Sequence, residues 1–152
     1  MNFSMQYRSP FGVLSLFANE HALERIAFGQ ETSEKNANPV LTEVKNQLDE
    51  YFEGKRTRFE LPLQPKGTAF QHLVWKQLQT IPMGQTCAYS ELAQQIGRDQ
   101  AARAVGLANN RNPIPIVIPC HRVIGKHGDL VGYAGGLDMK RKLLEFESLL
   151  VS

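Results

Sequence analysis

A chain of 152 residues with 42% hydrophobic and 21% charged side chains has the material for one folded domain or two small ones, which excludes a large multidomain machine and a disordered polymer. Its 17 Lys and Arg against 15 Asp and Glu leave a net charge of +2, so any grip on nucleic acid has to come from local placement of charge. No apolar run approaches the roughly 20 residues that span a bilayer, and Met1 to Tyr7 lack the blocks of a secretory signal; a cytoplasmic protein, nuclear in a eukaryotic cell, with no membrane partner is expected.

Three strands are expected first, at Met1 to Tyr7, Gly12 to Asn19 and Ala22 to Phe28, separated by Ser9-Pro10 and Asn19-Glu20. From Pro39 the period becomes helical through Leu41, Val44, Leu48 and Tyr51, with Gly54 as the stop. A small antiparallel meander covered by one helix follows. Pro62, Pro65 and Gly67 mark a connection, and the reading divides the chain into residues 1–62 and 63–152.

Thr68 and Gln71 have capping-box spacing ahead of Phe70, Leu73, Val74, Leu78 and Ile81, which predicts a helix from Ala69 to about Pro82-Met83-Gly84. Ser90 is placed to cap a short helix that Gly97 stops, and Asp99 to cap another over Gln100 to Ala108. Two helices joined by a short turn with glycine make a helix-turn-helix. In its second helix Ala101, Ala104, Val105 and Ala108 share an arc, with Arg103 nearly opposite. Asn112 to Pro119 then reads as extended, because its prolines forbid a helix. A Gly-rich turn at Gly132 to Gly136 precedes a last helix, with Asp138 as cap and Met139, Leu143, Phe146 and Leu150 as its inner face. The fold class is therefore α/β, an N-terminal sheet with a helix and a mostly helical C-terminal lobe.

The two cysteines, Cys87 and Cys120, have unlike surroundings and do not suggest a disulfide. Cys87 lies in an apolar setting that suits a packed thiol. Cys120 is flanked by Pro119, His121 and Arg122, and nearby positive charge can lower a thiol pKa and expose the nucleophilic thiolate. A buried structural cysteine is the competing reading, and taken alone the more common one. The histidines have no ligand-like spacing with either cysteine, so no metal and no cofactor is expected.

The string Ile118-Pro119-Cys120-His121-Arg122-Val123-Ile124, with Asn112-Pro113 before it and Gly132-Tyr133-Ala134-Gly135-Gly136-Leu137 after it, resembles the O6-alkylguanine-DNA alkyltransferases. The likeness runs from about Thr68 to Glu147 and includes Val74-Trp75-Lys76, Tyr89 and Ala101-Ala102-Arg103-Ala104-Val105-Gly106. It implies that Cys120 accepts the alkyl group once per polypeptide, that His121 draws off the thiol proton through a water, and that Glu147 orients the imidazole. The helical wheel separately puts Glu147 beside Leu143 on the inward arc and Glu145 on the far face.

The resemblance further implies that Asn112 braces the active-site turn, that Tyr133 lies near the guanine ring, and that the backbone around Ala134 receives the O6 atom. It assigns DNA contacts to Tyr89, Ala101, Ala102, Arg103, Ala104 and Arg122, with Arg103 entering the stack in place of the extruded base. The implied partner is double-stranded DNA carrying O6-alkylguanine, with alkylated thymine as a further candidate lesion, bound through the minor groove by a monomer. Two other classes remain open at this point, a Cys-His hydrolase and a non-catalytic binder of alkylated DNA.

Overall fold

The computed structural model describes residues 2–31 and 38–151; Met1, with which the first strand was expected to begin, lies outside them. The chain forms two compact units, Met1–Lys66 and Gly67–Ser152. None of the helices among the described residues is long and apolar enough to cross a membrane.

In the first unit β1 (Phe3–Ser9), β2 (Gly12–Ala18) and β3 (Leu23–Phe28) form an antiparallel meander in sequence order. Its register sets Met5 opposite Leu16, Tyr7 opposite Leu14 and Leu16 opposite Ile26, which collects large side chains on one face because strand neighbours alternate. Helix α1 (Pro39–Phe52) covers that face with Leu41, Val44, Leu48 and Tyr51, each fully buried. It starts where Asn38 accepts a hydrogen bond from Leu41 N and Pro39 occupies the first turn, where no amide is needed.

The unit does not stop at Pro62, where the sequence reading broke the chain. Leu23 N donates to Pro62 O and Gln64 N to Leu23 O, so Leu63 makes one parallel bridge to Leu23 at the start of β3 and the stretch belongs to this unit. Prolines tolerate such an edge position, where only part of the backbone has to pair.

The second unit holds α2 (Ala69–Leu78), β4 (Cys87–Ala88), α3 (Tyr89–Gln95), α4 (Ala102–Asn110), β5 (Val123–Ile124) and α5 (Leu137–Val151). The Thr68 and Gln71 capping box is present, but α2 ends at Leu78, one turn before the expected Pro82 to Gly84. Its Trp75 is 1% exposed and donates Nε1–H to Ala108 O at 2.8 Å, pinning α2 to α4.

Helices α3 and α4 form the expected pair, with shifted ends. Glu91, not Ser90, caps α3 by accepting from Ala88 N at 2.9 Å. The start of α4 moves from Gln100 to Ala102, since Ala101 N is taken by a turn to Arg98 O. Parallel pairing of β4 with β5, Cys87 beside Val123, ties the entry to α3 to the segment that follows Cys120.

Candidate active site

Cys120, His121 and Arg122 make a single 3-10 turn whose three side chains are buried. The segment leading into it is compact, not extended as expected. Ile118 N bonds Ile114 O across one helical turn, and Asn112 closes the inside by donating to Ile118 O at 2.8 Å and accepting from Ile114 N at 2.9 Å. The prolines prevent a helix from continuing, but they do not prevent one turn. Within it Ile116 is 2% exposed with φ +74°, a backbone state that a β-branched residue occupies only under constraint from its surroundings.

Behind the cysteine, Glu147 is 1% exposed on the inner face of α5, while Glu145 is exposed. His121 Nε2 lies 2.8 Å from Glu147 Oε2, and Arg122 adds Nε to Oε1 and Nη2 to Oε2, both at 2.8 Å. Arg122 Nη1 also donates to Ile81 O. Burial opposes ionisation of Glu147, but hydrogen bonds from His121 and Arg122, together with their charges, outweigh it and hold the carboxyl well below the usual range. Burial likewise pushes the His121 pKa down despite Glu147, so the imidazole is neutral at pH 7. With Nε2–H donated to the carboxylate, Nδ1 carries the lone pair. Nδ1 is buried and has no hydrogen-bond partner.

This arrangement corrects two expectations. Arg122 was assigned to DNA, yet it is 6% exposed and its guanidinium is committed to Glu147 and Ile81. The positive flank was also expected to lower the Cys120 pKa. Burial instead pushes the thiol up to about 11, against a hydrogen bond from Asn112 and the charge of Lys140. Chain neighbours need not face one another, and both flanking side chains turn toward Glu147.

Lys140 is the residue that sequence reasoning missed. It is fully buried, donates to Val131 O at 2.9 Å and Gly132 O at 3.3 Å, and burial pushes its pKa down to about 8. Its place three residues before Leu143 and seven before Glu147 puts it on the inward stripe of α5, a signal that the apolar count passed over. The expected inner face kept Leu143, whereas Met139 and Phe146 are half-buried and Leu150 is 40% exposed. Asp138, expected before the helix, lies inside the first turn of α5 and pairs with Lys142 at 3.1 Å and with Arg141 on the exposed side.

The turn before α5 is fastened to the helix pair. Tyr89 is half-buried and its hydroxyl donates to Val131 O at 2.9 Å, the same carbonyl that Lys140 holds. Gly106 of α4 faces the Tyr89 ring, where an added Cβ would make ordinary contact at 3.6 Å. Gly132, at φ +60°, would put a Cβ 2.6 Å from Asn110 Nδ2, so both its conformation and its neighbour call for glycine. Tyr133 is half-buried with its hydroxyl inside, and Ala134 is exposed.

On α4 the buried arc is Val105, Ala108 and Asn109. The expected inner arc of alanines is thereby split: Ala108 packs inside, Ala104 is exposed, and Ala101 and Ala102 are half-buried. Arg103 is exposed beside Ala104. Arg103 and Ala104 therefore face outward together with Leu107, which is 57% exposed, and the short side chains of Ala101, Ala102 and Ala104 beside them suit a narrow groove.

Residues 69–149 match the model of the 6-O-methylguanine DNA methyltransferase DNA binding domain, and residues 4–65 match the ribonuclease-like domain of the same proteins. A methylated-DNA–protein-cysteine methyltransferase of Methanosarcina barkeri is 50% identical over 146 residues, covering 91% of this chain and 92% of its own. One from Mycobacterium leprae is 48% identical, covering 91% and 88%. The crystal structure of Mycobacterium tuberculosis O6-methylguanine methyltransferase superposes with a TM-score of 0.90 at 43% identity, covering 100% of this chain and 96% of that one. The Mycobacterium tuberculosis OGT in complex with DNA gives 0.87 at 45% identity, covering 95% and 92%.

Proposed function

Since the chain belongs to the 6-O-methylguanine DNA methyltransferase family, we propose that Cys120 is the residue on which its methyltransferase activity ends. The protein binds DNA and repairs alkylated bases directly, by moving the alkyl group to one of its own cysteines. The observation that carries the choice of cysteine is the His121 Nε2 contact to Glu147 at 2.8 Å. It fixes a neutral imidazole whose remaining lone pair, on Nδ1, belongs to the residue next to Cys120. Cys87 has no such neighbour; burial, with the charge of Glu91, pushes its thiol up.

The steps follow from these groups. Burial keeps Cys120 protonated at rest, so the thiol has to lose its proton when substrate is present. His121 takes that proton through a bridging water, and Glu147, held by Arg122, stabilises the imidazolium that forms. The Lys140 charge favours the thiolate. The sulfur pair then attacks the alkyl carbon, a C–S bond forms as the C–O6 bond breaks, and the oxygen keeps the bonding pair. Tyr133 supplies its phenolic proton toward the leaving guanine, and the backbone around Ala134 receives the O6 atom. The thioether has no route back to a thiol, so each chain reacts once.

For the sulfur to reach a base, the base has to leave the duplex, at a cost of a few kcal/mol. The exposed Arg103 fills the vacated stack, and the low surface of Ala101, Ala102 and Ala104 seats α4 in the minor groove. Tyr89 presses on the adjoining phosphate. The lesion is O6-alkylguanine, and the protein acts as a monomer.

The test is the intact mass after mixing with an O6-methylguanine duplex. One added methylene on Cys120, absent in Cys120→Ser and retained in Cys87→Ser, is the expected outcome. Methyl transfer that survives Cys120→Ser would refute the assignment.

A further inference from the structure

We propose that Asn109 is a base-recognition residue of this site, accepting a hydrogen bond from the exocyclic amino group of the alkylated guanine. The inference rests on the assignment of Cys120 above and adds the group that tells one alkylated base from another.

Asn109 lies in the last turn of α4, and it is 1% exposed. Its Nδ2 donates to Cys120 O at 3.4 Å. The opposite amide orientation would set Oδ1 against that carbonyl, acceptor against acceptor, so the bond decides which way the group points. Oδ1 is then left buried with no hydrogen-bond partner. A buried acceptor without a donor carries its full desolvation penalty, which an apolar side chain of similar size would avoid. The position calls for a donor that the protein does not supply.

Where that donor comes from follows from the neighbours. Asn109 touches the backbone of the attacking cysteine, and its amide also favours ionisation of the Tyr89 phenol. Both groups belong to the transfer site, so a donor reaching Asn109 arrives with the substrate.

The chemistry of the lesion narrows the choice. Alkylation at O6 removes the hydrogen from ring nitrogen N1, and N3 and N7 are acceptors; the 2-amino group is the only N–H donor left on the base. An O4-alkylthymine offers no N–H donor on its base. An unpaired acceptor beside the nucleophile therefore selects guanine lesions over thymine lesions. Because the same amide is tied to Cys120 O, the group that reads the base is fixed relative to the sulfur that attacks it.

Duplexes carrying O6-methylguanine and O6-methylhypoxanthine, which differ only in the 2-amino group, test this by single-turnover transfer. The wild-type protein is expected to prefer the guanine lesion by about tenfold, the worth of one hydrogen bond. Asn109→Leu and Asn109→Ala should each bring the two rates together. Equal wild-type rates, or a preference that persists in either folded variant, would each overturn the proposal. Asn109→Ala, which removes the acceptor without adding bulk, keeps the test open should Asn109→Leu fail to fold. Absence of transfer from both duplexes would instead refute the Cys120 assignment and take this inference down with it.

Discussion

Arg122 grips Glu147 with two parallel hydrogen bonds of 2.8 Å, Nε to Oε1 and Nη2 to Oε2, inside the protein. The residue two places after the cysteine therefore supports Glu147, the carboxylate of the proposed relay, although its charge in a DNA-binding chain invites a phosphate. A planar fork suits this bidentate contact in a way that a lysine does not.

Arg122→Ala should accordingly leave Glu147 as an uncompensated buried charge and cost about 3–5 kcal/mol of stability. Arg122→Lys should restore part of the stability while transfer stays slow, because the carboxylate loses its second contact. Affinity for undamaged DNA should stay near wild type in Arg122→Lys. A loss of DNA binding with a wild-type denaturation midpoint would return Arg122 to the DNA surface.

Stability should fall on the acid side in two stages. The folded His121 pKa lies below its ordinary 6.5, so below that pH the unfolded chain binds a proton that the folded one refuses. Stability drops as pH falls from about there. Glu147 has the same sign at lower pH: its folded pKa is depressed from 4.5, and the stability it contributes above that value is lost as pH falls toward the folded pKa. Urea midpoints measured against pH should flatten in the upper stage for His121→Gln and in the lower stage for Glu147→Gln. A wild-type slope in both variants would contradict the neutral-imidazole and carboxylate assignment.

Lys140→Met keeps the length of a buried side chain and removes the cation that favours the Cys120 thiolate. The pH midpoint for alkylation of Cys120 by iodoacetamide should move upward, and each unit of movement lowers the thiolate population at neutral pH roughly tenfold. Because Lys140 also fastens Val131 O and Gly132 O, proteolytic nicking between Gly125 and Gly136 should rise in the same variant. An unchanged alkylation profile would leave Lys140 with the fastening role alone.

Arg103 is exposed on α4, and a stack replacement and a phosphate contact predict different losses. Arg103→Ala should slow transfer from a duplex while leaving transfer from the free O6-methylguanine base near wild type, since no base has to be extruded there. A mismatch opposite the lesion should recover part of the rate. Weakened binding to all DNA, with a salt slope reduced by about one contact, would instead mark Arg103 as a phosphate ligand.

Local signals in the sequence set the strands of the meander and the helices, though not the compact turn that Asn112 to Pro119 form. The strand run after Gly12, the helical period that begins at Pro39 and the Thr68-Gln71 capping box act over a few residues, and each recurs in the structure. The inward side of Glu147 was legible for the same reason, because helical period alone puts it beside Leu143. What the period could not tell was who meets whom across the fold. Arg122 turns from the DNA surface to Glu147, 25 residues away, and Lys140, not the adjacent Arg122, supplies the charge that favours the thiolate. The Cys120 thiol is raised to about 11 because burial outweighs the polar groups around it, and burial is a property of the assembled unit. Asn109 likewise reads as an ordinary helix-end residue until packing brings its amide to Cys120 O and leaves its oxygen without a donor. Propensity and capping are short-range and survive in the unfolded chain's sequence, whereas desolvation and side-chain pairing exist only once distant segments exclude water together.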